Sequence, residues 1–160
     1  MNFCDIDQNM SLAIEEAKLA AYKDEVPVGA VITSPTAGII ATTHNLKEIT
    51  NNPCGHAEIL AIMEASQKIK EWRLLDCSIF VTLEPCPMCL NALLQARIKN
   101  VYFGAYDKKG GALSLGYNFH QDTRLNHSFD VYGGYRHFEC SQIISNYFRS
   151  KRKNHNASRS

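Results

Sequence analysis

No stretch of this chain stays apolar for anything near the roughly 20 residues that cross a bilayer. The first ten residues, MNFCDIDQNM, carry acids and no base, so the positive n-region of a secretory signal is missing. The expectation is a cytoplasmic protein with no membrane partner. No internal repeat and no shift in composition marks a second domain. With 160 residues the chain is long enough for one domain with a substantial core. Hydrophobic residues at 45% exclude general disorder. Six cysteines could make three disulfides, but only in an oxidising compartment, and nothing directs the chain to one. The sequons at Asn9, Asn126 and Asn156 are then chance matches.

A net charge of +1 hides an uneven distribution. Residues 149–160 hold Arg149, Lys151, Arg152, Lys153 and Arg159 and no acid. The preceding 148 residues hold 12 basic and 16 acidic side chains, a balance of −4. A mildly acidic body with a basic end points to a polyanionic partner. Charge alone favours the plainer reading, a solvated terminus that binds nothing.

Hydrophobic periodicity organises the rest. Met10, Ala13, Ile14, Ala17, Ala20 and Ala21 have helical spacing, which predicts a helix over 7–25. VPVGAVIT (26–33) reads as a buried strand, and a Pro/Gly/Ser-rich turn joins it to a second, IIATTHN (39–45). A helix follows from His56, then the strand SIFVTL (78–83), then a helix from Pro87 and the strand NVYFGAY (100–106). Residues 107–127 are predicted to be loop with some helix. A weak strand follows at 128–134, and a last helix runs from Tyr135 into the basic end. Helices alternating with strands imply an α/β fold, a central sheet covered on both faces. The third and fourth strands, joined through a helix, should run parallel. The domain is expected to span 1–153, with a basic, disordered tail over 154–160.

Chemistry concentrates in two places. GHAEILAI (55–62) places His56 and Glu58 at a predicted helix start, and TLEPCPMCL (82–90) places Cys86 and Cys89 at another. Alone, HxE is usually helix surface, and CxxC is shared by structural zinc sites and redox pairs. Together they supply one imidazole and two thiols. Cys86 and Cys89 share a face of a first helical turn, where the helix dipole favours thiolates. Three protein ligands and no second CxxC leave a coordination position open, the pattern of a catalytic zinc. Zn²⁺ with two thiolates and a neutral imidazole is formally uncharged, so it acidifies water less than an all-histidine site does. A nearby base then helps, and Glu58 is placed to be one.

HxE followed by PCxxC is the signature of zinc nucleobase deaminases. The chain resembles the cytidine/deoxycytidylate deaminase superfamily and, within it, the bacterial tRNA-specific adenosine deaminases. The resemblance is carried by EVPVGAV (25–31), HN (44–45), HAEI (56–59), RLLDCSIFVTLEPCPMC (73–89), RIKNVYFGAYDKKGGA (97–112), NH (126–127) and YFRSKR (147–152), and spans about residues 10–153. It implies a three-layer α/β/α cytidine deaminase-like fold with a mixed five-stranded sheet. His56, Cys86 and Cys89 would bind one zinc ion per subunit. Glu58 would shuttle the proton as zinc-activated water turns adenosine into inosine at the wobble position of an anticodon loop, with tRNA-Arg the expected substrate. Asn45 would contact the inserted nucleoside, and Val26, Pro27 and Leu83 would wall the pocket. The backbones of Ala57, Pro85 and Cys86 would lie at the reacting atoms. Asp107, Lys109, Asn126 and His127 would belong to loops touching nearby nucleotides, and Phe148 to a helix beside the RNA. The resemblance also implies a homodimer. Gly55, where relatives often carry Ala or Thr, suggests a looser loop before His56. Two rivals remain at this stage: a guanine or cytosine deaminase of the same fold, and a non-catalytic zinc module that binds RNA.

Overall fold

A computed structural model describes residues 3–157, with side chains over 5–154. The elements are α1 (Phe3–Tyr22), β1 (Gly29–Ser34), β2 (Gly38–His44), α2 (Ala57–Ile69), β3 (Ser78–Leu83), α3 (Pro87–Gln95), β4 (Asn100–Ala105), β5 (Asp130–Gly133) and α4 (His137–Ala157). A single 3-10 turn, Phe119–Gln121, interrupts the long loop before β5. The sheet order is β2-β1-β3-β4-β5. β1 runs antiparallel to both β2 and β3, while β3, β4 and β5 run parallel, so the sheet is mixed as expected.

The apolar strands show why both faces are covered. Along β1, β3 and β4, Ala30, Ile32, Ile79, Val81, Val101 and Phe103 point one way, into the core packed by α2 and α3. Val31, Phe80 and Tyr102 point the other way, toward α1 and α4. The period of two along a strand thus feeds two cores instead of one core and solvent. Register reinforces the second core. Phe80, Tyr102 and Tyr132 are cross-strand partners, and their rings stack at 4.9 and 5.1 Å. On α2, Ala57, Ala61 and Ala65 are fully buried at intervals of one turn, which lets the helix lie close on the sheet.

Several boundaries differ from the periodicity, and α1 begins at Phe3 instead of residue 7. α1 stops at Tyr22, because Asp24 turns the chain left-handed at φ 64°. β1 begins at Gly29 instead of Val26. Val28 N–H closes a short turn onto Val26 O at 2.8 Å, and Pro27 has no N–H to offer a neighbouring strand. α4 continues to Ala157, so residues 154–157, expected in an irregular tail, are helical. The remaining tail residues, 158–160, lie outside the described residues. α4 is clasped to the turn after α1: Tyr147 Oη donates to Asp24 O at 2.9 Å, and Lys151 Nζ donates to Asp24 Oδ2 at 2.5 Å. Cys54, Cys77, Cys86, Cys89 and Cys140 are all free thiols. Among the described residues no helix is long and apolar enough to cross a membrane.

Gly29 marks the tightest contact between sheet and helix. A Cβ there would sit 2.0 Å from Ala13 O and 2.6 Å from Ala17 N, both backbone atoms of α1. Neither can move without shifting the helix. Gly29→Ala is therefore expected to destabilise the fold by about 3 kcal/mol, read as a lowered midpoint in urea with an unchanged slope.

Candidate active site

α2 and α3 begin at the same edge of the sheet, where β3 ends at Leu83. Ligands of open α/β sheets bind at this edge, outside the carboxyl ends of the strands. The helix-starting residues are His56 and Cys86, both extended in backbone and neither capping its own helix with its side chain. Their carbonyls start the helical ladders, accepting Leu60 N–H at 3.0 Å and Leu90 N–H at 2.8 Å. Their side chains are left to face each other. His56 Nδ1 lies 3.7 Å from Cys86 Sγ and 3.5 Å from Cys89 Sγ. The three ligand atoms lie within 4.8 Å of one another. Ligands bound to a tetrahedral zinc at about 2.3 Å (sulfur) and 2.0 Å (nitrogen) are separated by roughly 3.6 Å. The donor set and its spacing both fit that ion.

The electrostatics suit a cation. The hydrogen bond from Cys89 and the neighbouring His56 lower the Cys86 thiol to about 4. The Cys89 thiol moves up, first because it donates to Cys86 and then through burial and the charge of Glu58. The bond between them pulls the two thiols in opposite directions and favours the thiolate at Cys86. The hydrogen bond to Cys86 raises His56. Glu58, in the first turn of α2, is 4% exposed, and burial pushes its carboxyl up to about 7.

Beside the three donors lies a cavity of ≈ 270 Å³. Val26, Asn45, Leu83, Asp107, His56, Glu58 and Cys86 all line it. Asn45 is held at the end of β2 by its N–H on Val28 O at 3.0 Å, and is 6% exposed. His56 and Glu58, two residues apart in the chain, reach the cavity from different directions because His56 is still extended while Glu58 is already helical.

Other expected residues stand one step back. Pro27, Ala57 and Pro85 are buried. Ala57 O accepts Thr43 Oγ1–H at 2.8 Å, and Pro85 O accepts Ala112 N–H at 2.8 Å. Lys109 is exposed on the loop that carries Asp107. Phe148 is 43% exposed on α4, against Tyr147. Within one chain the structure does not bring Asn126 to the cavity. The next residue, His127, hydrogen-bonds Ile98 O at 2.8 Å, at the opposite edge of the sheet before β4 begins. The loop before His56 is not loose. Leu46 N–H bonds Gly55 O at 3.0 Å, and a Cβ on Gly55 would lie 3.2 Å from the Lys47 backbone. Sequence reasoning missed Val28, Lys47, Glu84 and Gly110, which also line the cavity. Glu84 carried a signal, an acid between an apolar strand and the CxxC.

Comparison with known proteins identifies the family. The MafB19-like deaminase family model matches residues 4–152. The tRNA-specific adenosine deaminase of Bacillus subtilis (strain 168) is 44% identical over 150 residues, covering 94% of this chain and 92% of that one. The tRNA-specific adenosine deaminase of Haemophilus influenzae is 40% identical over 147 residues, covering 92% and 85%. A solved structure from a study of A-to-I editing by tRNA:A34 deaminases at the wobble position of transfer RNA is similar at a TM-score of 0.80. It is 40% identical and covers 85% of this chain and 98% of that one.

Titration with zinc is expected to saturate at one ion per chain, with proton release as Cys89 is deprotonated. Since both His56 and Cys89 hold their protons more tightly than usual, zinc affinity should rise with pH and fall in acid. Cys86→Ser or Cys89→Ser should weaken binding by about a hundredfold or more, measured by competition with a chromophoric chelator.

Proposed function

Because the chain belongs to the MafB19-like deaminase family, and within it to the tRNA-specific adenosine deaminases, we propose that it hydrolyses adenosine to inosine and ammonia at the wobble position of a tRNA anticodon loop. The observation that carries this reading is a buried Glu58 beside the His56, Cys86 and Cys89 donors, in a cavity that also holds Asn45. In this reading the metal is zinc, one per subunit, held by those three side chains. When bound, it supplies a Lewis acid that makes water a competent nucleophile near neutral pH.

Glu58 moves the protons. A carboxyl poised near 7 can take a proton from the attacking water and return it to the purine ring nitrogen. The same group then takes the second proton, from the new C6 hydroxyl, and passes it to the departing amine, so the proton balance closes at inosine and ammonia. The Asn45 amide orients the nucleoside against the apolar faces of Val26 and Leu83. At ≈ 270 Å³ the cavity sits at the small end of ligand sites, which run to about 1,000 Å³. It admits one nucleoside turned out of its stack and no helix.

The RNA around that base needs a larger surface. Lys109 and Phe148 lie outside the cavity and are assigned to the flanking nucleotides, with the basic end of α4 on phosphates. The enzyme is proposed to be a homodimer, which would allow Asn126 to serve the cavity of the other subunit. It is proposed to work in the cytoplasm, on tRNA-Arg. The named relatives favour this reading over a guanine or cytosine deaminase, and the buried Glu58 favours it over a zinc module that only binds RNA.

The test offers zinc-loaded protein an anticodon stem-loop of tRNA-Arg with adenosine at the wobble position, alongside free adenosine, cytidine and guanine. Inosine should form in the RNA alone, and a fourfold rise in salt should weaken RNA binding by about tenfold if only two or three phosphates are neutralised. Turnover of a free base with the RNA untouched would refute the substrate. Glu58→Gln should bind zinc and RNA normally and lose turnover by about 10³-fold or more. Unchanged turnover would remove Glu58 from the proton path.

A further inference from the structure

Glu84 stands between β3 and Cys86, and is 2% exposed. Its carboxylate is turned to the 107–114 loop. Oε2 accepts the Asp107 backbone N–H at 2.9 Å and the Ser114 hydroxyl at 2.6 Å, and Oε1 accepts the Ser114 backbone N–H at 2.7 Å. An ionised carboxylate only accepts, so three donors around it suit Glu and not Gln. The loop is shaped to leave room for it: a Cβ on Gly111 would lie 2.2 Å from Glu84 Cδ. Two backbone bonds frame the contact, Glu84 N–H on Ala105 O and Ala112 N–H on Pro85 O, each 2.8 Å.

The loop held in this way brings Asp107 and Gly110 to the cavity. Asp107 Oδ1 accepts Lys109 N–H at 3.0 Å and Gly110 N–H at 3.1 Å, which sets the turn at the cavity wall. A polar network anchored on one buried carboxylate, with each of its bonds made, favours one loop arrangement over its neighbours. The segment Glu84–Cys86 therefore carries a metal ligand at one end and the anchor of the facing wall at the other.

We propose that Glu84 is a positioning residue for the substrate: its buried carboxylate locks the 107–114 loop onto the segment that bears Cys86, so that cavity wall and metal ligand move as one piece. The kinetic consequence rests on the nucleoside-deaminase reading above. A residue that merely supported the fold would lower stability and leave the Michaelis constant alone. A positioning residue changes how substrate is held while the donors keep their metal.

The decisive experiment compares Glu84→Gln and Ser114→Ala with the unaltered full chain, all zinc-loaded. Three quantities are read: zinc content, KM and kcat on the stem-loop RNA, and hydrogen exchange of the Asp107 and Ser114 amides. Glu84→Gln should keep one zinc per chain, raise KM about tenfold with a smaller change in kcat, and speed exchange at both amides. Ser114→Ala, which removes one of the three bonds, should move KM about threefold in the same direction. Unchanged KM and unchanged exchange in both variants would overturn the proposal. If Glu84→Gln fails to fold, Ser114→Ala decides it by the same two readouts. If the unaltered chain leaves the RNA untouched, the substrate reading fails on its own, and amide exchange still decides whether Glu84 holds the loop.

Discussion

Two thiols and an imidazole come within 4.8 Å of one another because two helices begin at one edge of one sheet. Everything else about the site depends on that meeting. Neither helix caps itself with the side chain that starts it. Each forgoes a modest local gain and presents its first side chain to the other helix. The positive ends of two helix dipoles then favour the thiolate at Cys86. The small residues of α2 belong to the same arrangement, since Ala57, Ala61 and Ala65 let the helix sit low enough for its first turn to reach the strand ends.

Burial has opposite consequences at two neighbouring carboxyl groups. Glu58 is enclosed without enough donors to offset the loss of water, so its proton affinity climbs toward neutrality. Glu84 is enclosed among three donors and serves as an anchor. One group is left free to exchange a proton and the other is committed to fixed bonds. The difference between a chemical role and an architectural one lies in the number of N–H and O–H groups aimed at each.

The parts of this molecule legible in the sequence are those where local chemistry and long-range packing agree. β3 was readable to the residue, because SIFVTL is apolar on both faces and both faces are covered. The metal group was readable because HxE and PCxxC each sit at a strand-to-helix junction, so spacing along the chain predicts spacing in space. The end of α1 was not, since its helical pattern runs on past Asp24, where a single left-handed residue breaks it. Val28, Lys47 and Gly110 were missed because they reach the cavity from loops whose course is set by contacts distant in sequence, such as Ile49 N–H on Glu25 Oε1 at 2.7 Å. The family likeness named Asn126 as a substrate residue, and only the fold shows that it sits at the far edge of its own chain's sheet.

The clasp between Asp24 and α4 carries a consequence for how the protein is made. Tyr147 and Lys151 grip the turn that leads to Val26 from more than a hundred positions further along the chain. On a ribosome the metal donors and most of the sheet emerge well before that grip can form. A nascent chain still short of Lys151 has its chemistry assembled while the rim beside Val26 is unsecured. The rim beside Val26 is therefore braced only once α4 has been made and has packed back on the turn after α1.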